Sequence, residues 1–235
     1  MPATPQPEPP QPEALLEYAQ RRIKTAIAEG TIAPGARLSP SVLAAEFGIS
    51  HIPIREALTY LSAMGYVDHP HRLGFFARTL TSEDIADIYH WRAVLENEAY
   101  VMAVPKITDE DLAQMRRLAK ATGKKVKPDE RLEFVRVNRE FHFVAFRRAG
   151  SERLIRFLDY LWDLAEPYMN AEPVDSSRSY ADHLAVIELF EARDTQGVID
   201  LMSDHRRVRI DHIAKLESGH KLGGGKLKSK APSAT

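Results

Sequence analysis

Apolar residues recur along most of this chain at three- and four-residue spacing, the mark of amphipathic helices packed on a common interior. From Glu13 to Glu29, the stripe Leu15, Leu16, Ala19, Ile23, Ala26 and Ile27 predicts one such helix, closed by Gly30. Ile32 to Leu38 reads as a connector with a Pro34-Gly35 turn. The segments then shorten. Val42, Leu43, Ala45 and Phe47 predict the inner side of a short helix, Gly48 supplies the positive φ of a tight turn, and Ile49 fills the angle behind it. Ser50 follows as an N-cap and Pro53 suits a first helical turn. Ile54, Leu58 and Leu61 predict the inner face of a second helix, with Arg55, Thr59 and Ser62 outward. A short helix, a glycine turn and a second helix with polar outward residues form a helix-turn-helix, whose second helix enters a DNA major groove. The tip from His69 to Gly74, followed by Phe75-Phe76-Ala77, predicts a β-hairpin wing beside it.

After Arg78 the helical period continues almost without interruption. Thr81 with Asp84, and Thr108 with Asp111, are capping sequences. They open helices from Ile85 to Val104 and from Thr108 to about Gly123. A third is expected from Pro128 to Arg148. A fourth runs from Glu152 to Met169, broken or kinked at Pro167, a fifth from Ser176 to Ala192, and a sixth from Thr195 to Glu217. The expected fold is therefore mainly α: an N-terminal winged helix-turn-helix with a small β-hairpin wing, then an antiparallel all-helical bundle. The boundaries read as a disordered segment 1–12, a DNA-binding domain 13–79, a helical domain 80–217 and a disordered Gly/Lys/Ser-rich tail 218–235.

Composition narrows the setting. The chain has 235 residues, 44% of them hydrophobic, which suffices for two modest domains or one large one with a proper core. Cysteine is absent, so there is no disulfide framework or thiolate metal site, in keeping with a reducing cytosol. No apolar run reaches the length of a membrane span and no signal-peptide core is visible, so a cytoplasmic location without membrane contact is expected. The net charge of -1 means that any DNA-binding surface is a local patch.

The candidate chemistry lies where polar residues interrupt apolar stripes. Asn138 and His142 sit one turn apart on the stripe Phe134, Asn138, Phe141, His142, Ala145. His183 shares a stripe with Tyr180, Ile187 and Phe190, and His205 shares one with Val198, Leu201, Val208 and His212. A lone inward histidine is usually a satisfied core residue. Three from three helices, one with an oxygen partner at i−4, favour a shared site for a divalent metal ion. Zinc suits three imidazoles and an oxygen best, and nickel, manganese or iron suit them if water completes an octahedron. Arg92 interrupts the stripe Ile85, Ile88, Leu95, Ala99, Met102 and needs an anion. That anion is an internal carboxylate such as Glu96 or the carboxylate of a small organic acid, and the sequence leaves both open. Tyr89, Trp162 and Tyr180 are weaker candidates for lining such a pocket.

Pro34-Gly35-x-x-Leu38, Leu43-Ala44-x-x-Phe47-Gly48-Ile49-Ser50, Pro53-Ile54-Arg55-Glu56-Ala57-Leu58 and Leu61-x-x-x-Gly65 together resemble the N-terminal domain of GntR-superfamily regulators. The helical half resembles the FadR C-terminal (FCD) class of effector domain, through Arg92-x-x-Leu95-Glu96 and the ordered set Asn138, His142, His183, His205. That resemblance implies a metal at those four residues, although Asn138 stands where the pattern most often has aspartate. It also implies a small organic acid beside the metal, for which Arg92, Tyr89 and Tyr180 are the candidate contacts. It further implies a homodimer on a palindromic double-stranded DNA operator, contacted through Arg37, Ser39, Ser41, Ser50, His51, Ile52, Arg55, Thr59, Arg72 and Gly74. Here too the sequence departs from the pattern. His51 stands where arginine is usual, Ile52 where threonine or serine is frequent, and Ser41 where arginine is frequent, so guanidinium forks that read guanine are missing. The expected function is a metabolite-responsive transcription regulator rather than an enzyme. The alternatives are a regulator that binds DNA weakly and acts through protein partners, or a metal-dependent enzyme.

Overall fold

The computed structural model describes residues 12–123, 126–127, 130–171 and 176–222. The expected terminal segments thus lie largely outside the described residues, as do Pro128 and the side chain of His212. The chain is mostly helical, with one small sheet.

The first unit comprises α1 (Pro12–Ala28), β1 (Arg37–Leu38), α2 (Pro40–Phe47), α3 (His51–Ala63), β2 (Val67–Asp68) and β3 (Phe75–Ala77). Gly48 ends α2 in the left-handed region, φ 68°, and its amide donates to the Ala44 carbonyl. That turn sets α3 across α2. The inner face of α2 is Leu43, Ala44 and Phe47, whereas Val42 and Ala45, expected inside, are exposed. Ser39 and Ser50 stand at the N-cap positions of α2 and α3 without making the side-chain cap bond. Ser39 Oγ instead lies 2.9 Å from Ser41 Oγ. The sheet is antiparallel in the order β1-β3-β2, with Leu38 opposite Phe75 and Val67 opposite Ala77. The connector before α2 therefore supplies a strand that a two-residue pattern cannot reveal. Ile23, Ile54, Leu58, Leu61, Val67 and Phe75 close the core between sheet and helices.

The second unit comprises α4 (Ser82–Ala103), a 3₁₀ turn Val104–Lys106, α5 (Asp109–Thr122), α6 (Arg131–Arg148), α7 (Glu152–Ala171), α8 (Ser176–Glu191) and α9 (Thr195–Leu222). Capping boxes at Thr81/Asp84 and Thr108/Asp111 satisfy orphan amides at the starts of α4 and α5. Their amide bonds hold the Asp84 carboxyl below the usual range; for Asp111 the Arg148 guanidinium and the Thr108 bonds do so against the opposing effect of burial. α7 does not stop at Pro167. Beyond it Met169 is buried in the bundle and the Tyr168 hydroxyl accepts from the Leu80 amide at 2.6 Å, which anchors the last turn. α4 packs on α6, α7 and α9, α5 on α6 and α8, and α8 on α9. The inner faces of α4, α6, α8 and α9 thus meet in one interior. α1 rests on α7, so one helix of the bundle carries the first unit.

Candidate metal centre and DNA-facing surface

The inner face of α6 buries Phe134, Asn138, Phe141 and His142 as a continuous stripe. α8 places His183, fully enclosed, flat against the Phe141 ring at 3.9 Å between centroids. α9 brings His205. The three imidazoles form a near-equilateral triangle with centroid separations of 5.3, 5.6 and 5.3 Å. One ligand atom from each lies within 4.8 Å of the others. Imidazoles packed this closely repel once protonated, so the arrangement favours their neutral forms. Burial, then His183 and His205, then Arg92 and Arg206, push the His142 pKa well below 6.5. His142 is therefore neutral at pH 7, the form with a lone pair to give.

Two neighbours orient the rings. His205 Nδ1 lies 2.9 Å from Asp182 Oδ2 and His142 Nδ1 lies 3.4 Å from the Tyr100 hydroxyl. A carboxylate on Nδ1 fixes the tautomer and leaves the lone pair on Nε2, as behind many metal-bound histidines. Asn138 Oδ1 is buried and has no hydrogen-bond partner among the described residues. An orphaned buried oxygen one turn from His142, beside three imidazoles, fits a cation as fourth partner.

Against this triangle lies a cavity lined by Tyr89, Arg92, Asn138, His142, Trp162 and His205, among others. Its free volume is about 10 Å³, room for one water. Arg92 Nε donates to Glu96 Oε1 at 3.0 Å, so the internal carboxylate is present. Glu96 is shared: Trp162 Nε1 donates to Oε1 and Arg206 Nη1 to Oε2, each at 2.8 Å. Two arginines around one carboxylate leave a net positive charge. Arg92 Nη1 and the Tyr89 hydroxyl have no partner among the described residues. The Arg92 guanidinium carbon sits 3.9 Å from the Trp162 ring centroid, a cation–π contact between buried side chains.

Tyr89, Arg92, Asn138, His142 and His205 are thus brought to one cavity, with His183 on the same triangle. Tyr180 is not. Its ring packs against Gly123, where a Cβ would fall 3.0 Å away, because the half-buried face of α8 that carries it turns towards the end of α5. Glu96 is the internal carboxylate expected beside Arg92, whereas Arg206 joins the site without having been singled out by the sequence. The buried stripe of α9 is Val198, Met202, His205 and Arg206, while Leu201 and Val208, expected on it, are half-buried. Arg206 stands at i+4 from Met202 and i+8 from Val198, a spacing that could have revealed it.

On α3, His51, Ile52, Arg55, Glu56, Thr59 and Tyr60 are exposed, and Ile52 is 70% exposed. Arg55 makes no ion pair among the described residues, whereas the Thr59 hydroxyl is used on the Arg55 carbonyl at 2.9 Å. The Arg37 guanidinium lies beside Gly74, which joins β1 to the wing. Arg72 is exposed on the wing tip in the left-handed region, φ 62°. Ser39, Ser41 and Ser50 occupy the surface at the starts of α2 and α3. Glu56 and Tyr60, outside the set of expected contacts, share the outer face with Ile52 and Arg55.

Comparison with known proteins follows the same division. Residues 15–76 match the family described as bacterial regulatory proteins, gntR family, and residues 87–208 match the FCD domain. The HTH-type transcriptional regulator YdhC of Bacillus subtilis is 32% identical over 66% of this chain and 69% of its own. The Nta operon transcriptional regulator of Aminobacter aminovorans is 29% identical over 79% of this chain and 88% of its own. Among solved structures, E. coli McbR/YncC has the same fold, with a TM-score of 0.74 at 21% identity, covering 86% of this chain and 98% of that one. The chain belongs to the gntR family and carries an FCD domain; it is a DNA-binding transcription regulator of that type.

Proposed function

We propose that this regulator senses a small organic acid at a divalent metal ion held by Asn138, His142, His183 and His205, and that the acid alters operator binding. Zinc is the first candidate, and nickel, manganese and iron suit the same donors if water fills further positions. The observation that carries this reading is the triangle of imidazoles from three helices, one ligand atom of each within 4.8 Å of the others. When bound, the metal supplies a Lewis-acid anchor for a carboxylate. The protein's own groups do the rest. Asp182 holds His205 in register, Arg92 Nη1 and the Tyr89 hydroxyl are free to meet the acid, and Glu96 keeps both arginines in place. In this reading two copies of the chain dimerise. Each winged helix takes half of a palindromic operator through Arg37, Ser39, Ser41, Ser50, His51, Ile52, Arg55, Thr59, Arg72 and Gly74. The acid releases the operator because it binds one arrangement of the dimer better than the other.

Elemental analysis of the purified protein tests the centre: the wild type carries metal and His142→Ala loses it. A His142→Ala protein with wild-type metal content would overturn the ligand set. A second reading, a regulator that holds DNA weakly and acts through protein partners, is favoured by one observation. The outer face of α3 offers Arg55 as its cation, next to Glu56 and between the apolar Ile52 and Tyr60. Few cations on that face mean few released counterions and low affinity. Binding to fragments of the source genome at physiological salt separates the two readings.

A further inference from the structure

α7 presents different residues to the two units it touches. Leu158, Trp162, Ala165 and Met169 are buried in the bundle, and Trp162 and Met169 line the cavity. Tyr160 and Leu164 pack against the winged-helix core, and the Tyr160 hydroxyl donates at 3.0 Å to the carbonyl of Met64, the residue that ends the recognition helix α3. Asp163 stands between these faces, next in sequence to Trp162. Its Oδ2 takes the Lys24 ammonium of α1, and the Tyr66 hydroxyl at 3.2 Å. Its Oδ1 takes Arg139 Nη1 at 2.8 Å. Arg139, next in sequence to Asn138, is held in turn by Asp159 at 2.9 Å and Glu166 at 3.3 Å. One carboxylate is therefore bonded to both units, and its partners adjoin the walls of the cavity on α6 and α7.

The cavity has room for about one water, so an acid of four or more heavy atoms enters only if those walls move. Close-packed helices shift as units rather than deforming locally. Resting on the reading that the cavity takes a metal and an acid, we infer that Asp163 is the positioning residue through which filling the cavity moves the winged helix. A shift of α6 or α7 displaces Arg139 and Asp163 together. Lys24 and Tyr66 follow the carboxylate, and α1 and the end of α3 go with them. Such coupling requires only that the joint has two arrangements with different affinities for the cavity's occupant.

Amide hydrogen exchange on the full chain tests this, with zinc and millimolar acetate as the probe. In the wild type, zinc with acetate changes exchange in α6 around Asn138 and also in α1. In Lys24→Met the α6 change persists and the α1 change is lost. Lys24→Arg, which keeps the charge, restores it, and Asp163→Asn loses it again. The Lys24 side chain is 37% exposed, so its truncation leaves both cores intact. An α1 response of wild-type size in both Lys24→Met and Asp163→Asn, or a wild type in which α6 responds and α1 does not, overturns the role of Asp163 and leaves the metal site standing. A wild type in which α6 itself is silent overturns both.

Discussion

The two cores of this chain treat polarity in opposite ways. In the winged helix, every buried side chain among the described residues is apolar or aromatic, with Ile54, Leu58 and Leu61 fully enclosed. All the buried polar and charged side chains among the described residues lie in the helical domain, including Arg92, Glu96, Asn138, His142, His183, His205 and Arg206. The winged helix needs only a rigid interior, because what it reads lies outside it. The helical domain buries polar groups instead and accepts the desolvation of six charged or imidazole groups around one point. The same fold-building force thus serves as scaffold in one unit and as solvent exclusion in the other.

That contrast can be broken at single residues. The largest effect is expected from Glu96→Ala, which strands Arg92 and Arg206 without their shared carboxylate in the bundle; a loss of about 3–5 kcal/mol of stability is expected, read by urea denaturation. Glu96→Gln keeps the shape and would recover only part of it. Leu58→Ala in the other core is expected to cost about 2–5 kcal/mol through transfer and cavity terms alone. Its cost should be insensitive to pH and to added metal, whereas that of Glu96→Ala should change with both. The smallest effect sharpens the comparison through pH. Burial lowers the His142 pKa in the folded protein, so below the ordinary value of 6.5 the unfolded chain binds the extra proton and the folded one does not. Metal-free protein should therefore lose stability as pH falls below about 6.5, by at most about 1.4 kcal/mol per pH unit for one proton. The loss should disappear in His142→Phe. A metal-free wild type equally stable at pH 7.5 and 5.5 would contradict the neutral, desolvated imidazole.

Much of this was legible in the sequence because periodicity reports which way a side chain faces. Gly48 between Phe47 and Ile49 marks the turn, and the i, i+4 pair Asn138 and His142 marks an inward polar face. The stripes fail where two registers are equally apolar. Val42 and Leu43 compete for the inside of α2, and Leu201 and Met202 for the inside of α9; packing against α3 and α4 chose the second of each pair. The latter choice turns Arg206 inward, onto a carboxylate 110 residues away in sequence, which no local pattern carries. Strand β1 exists because Phe75 and Phe76 lie across from it, not because Arg37-Leu38 is strand-like. Tyr180 had an inward spacing, but the end of α5 took up its ring.

The doubly clasped Glu96 has a last consequence. With Arg92 and Arg206 both engaged and one guanidinium nitrogen still open, the chamber sets two guanidinium charges against the one carboxylate they share, a surplus of one cation. A visitor bearing one negative charge neutralises that surplus. An amide or ester of identical outline would leave it standing in a low-dielectric enclosure. In the proposed reading, the chamber therefore sorts molecules by ionisation first and by shape second.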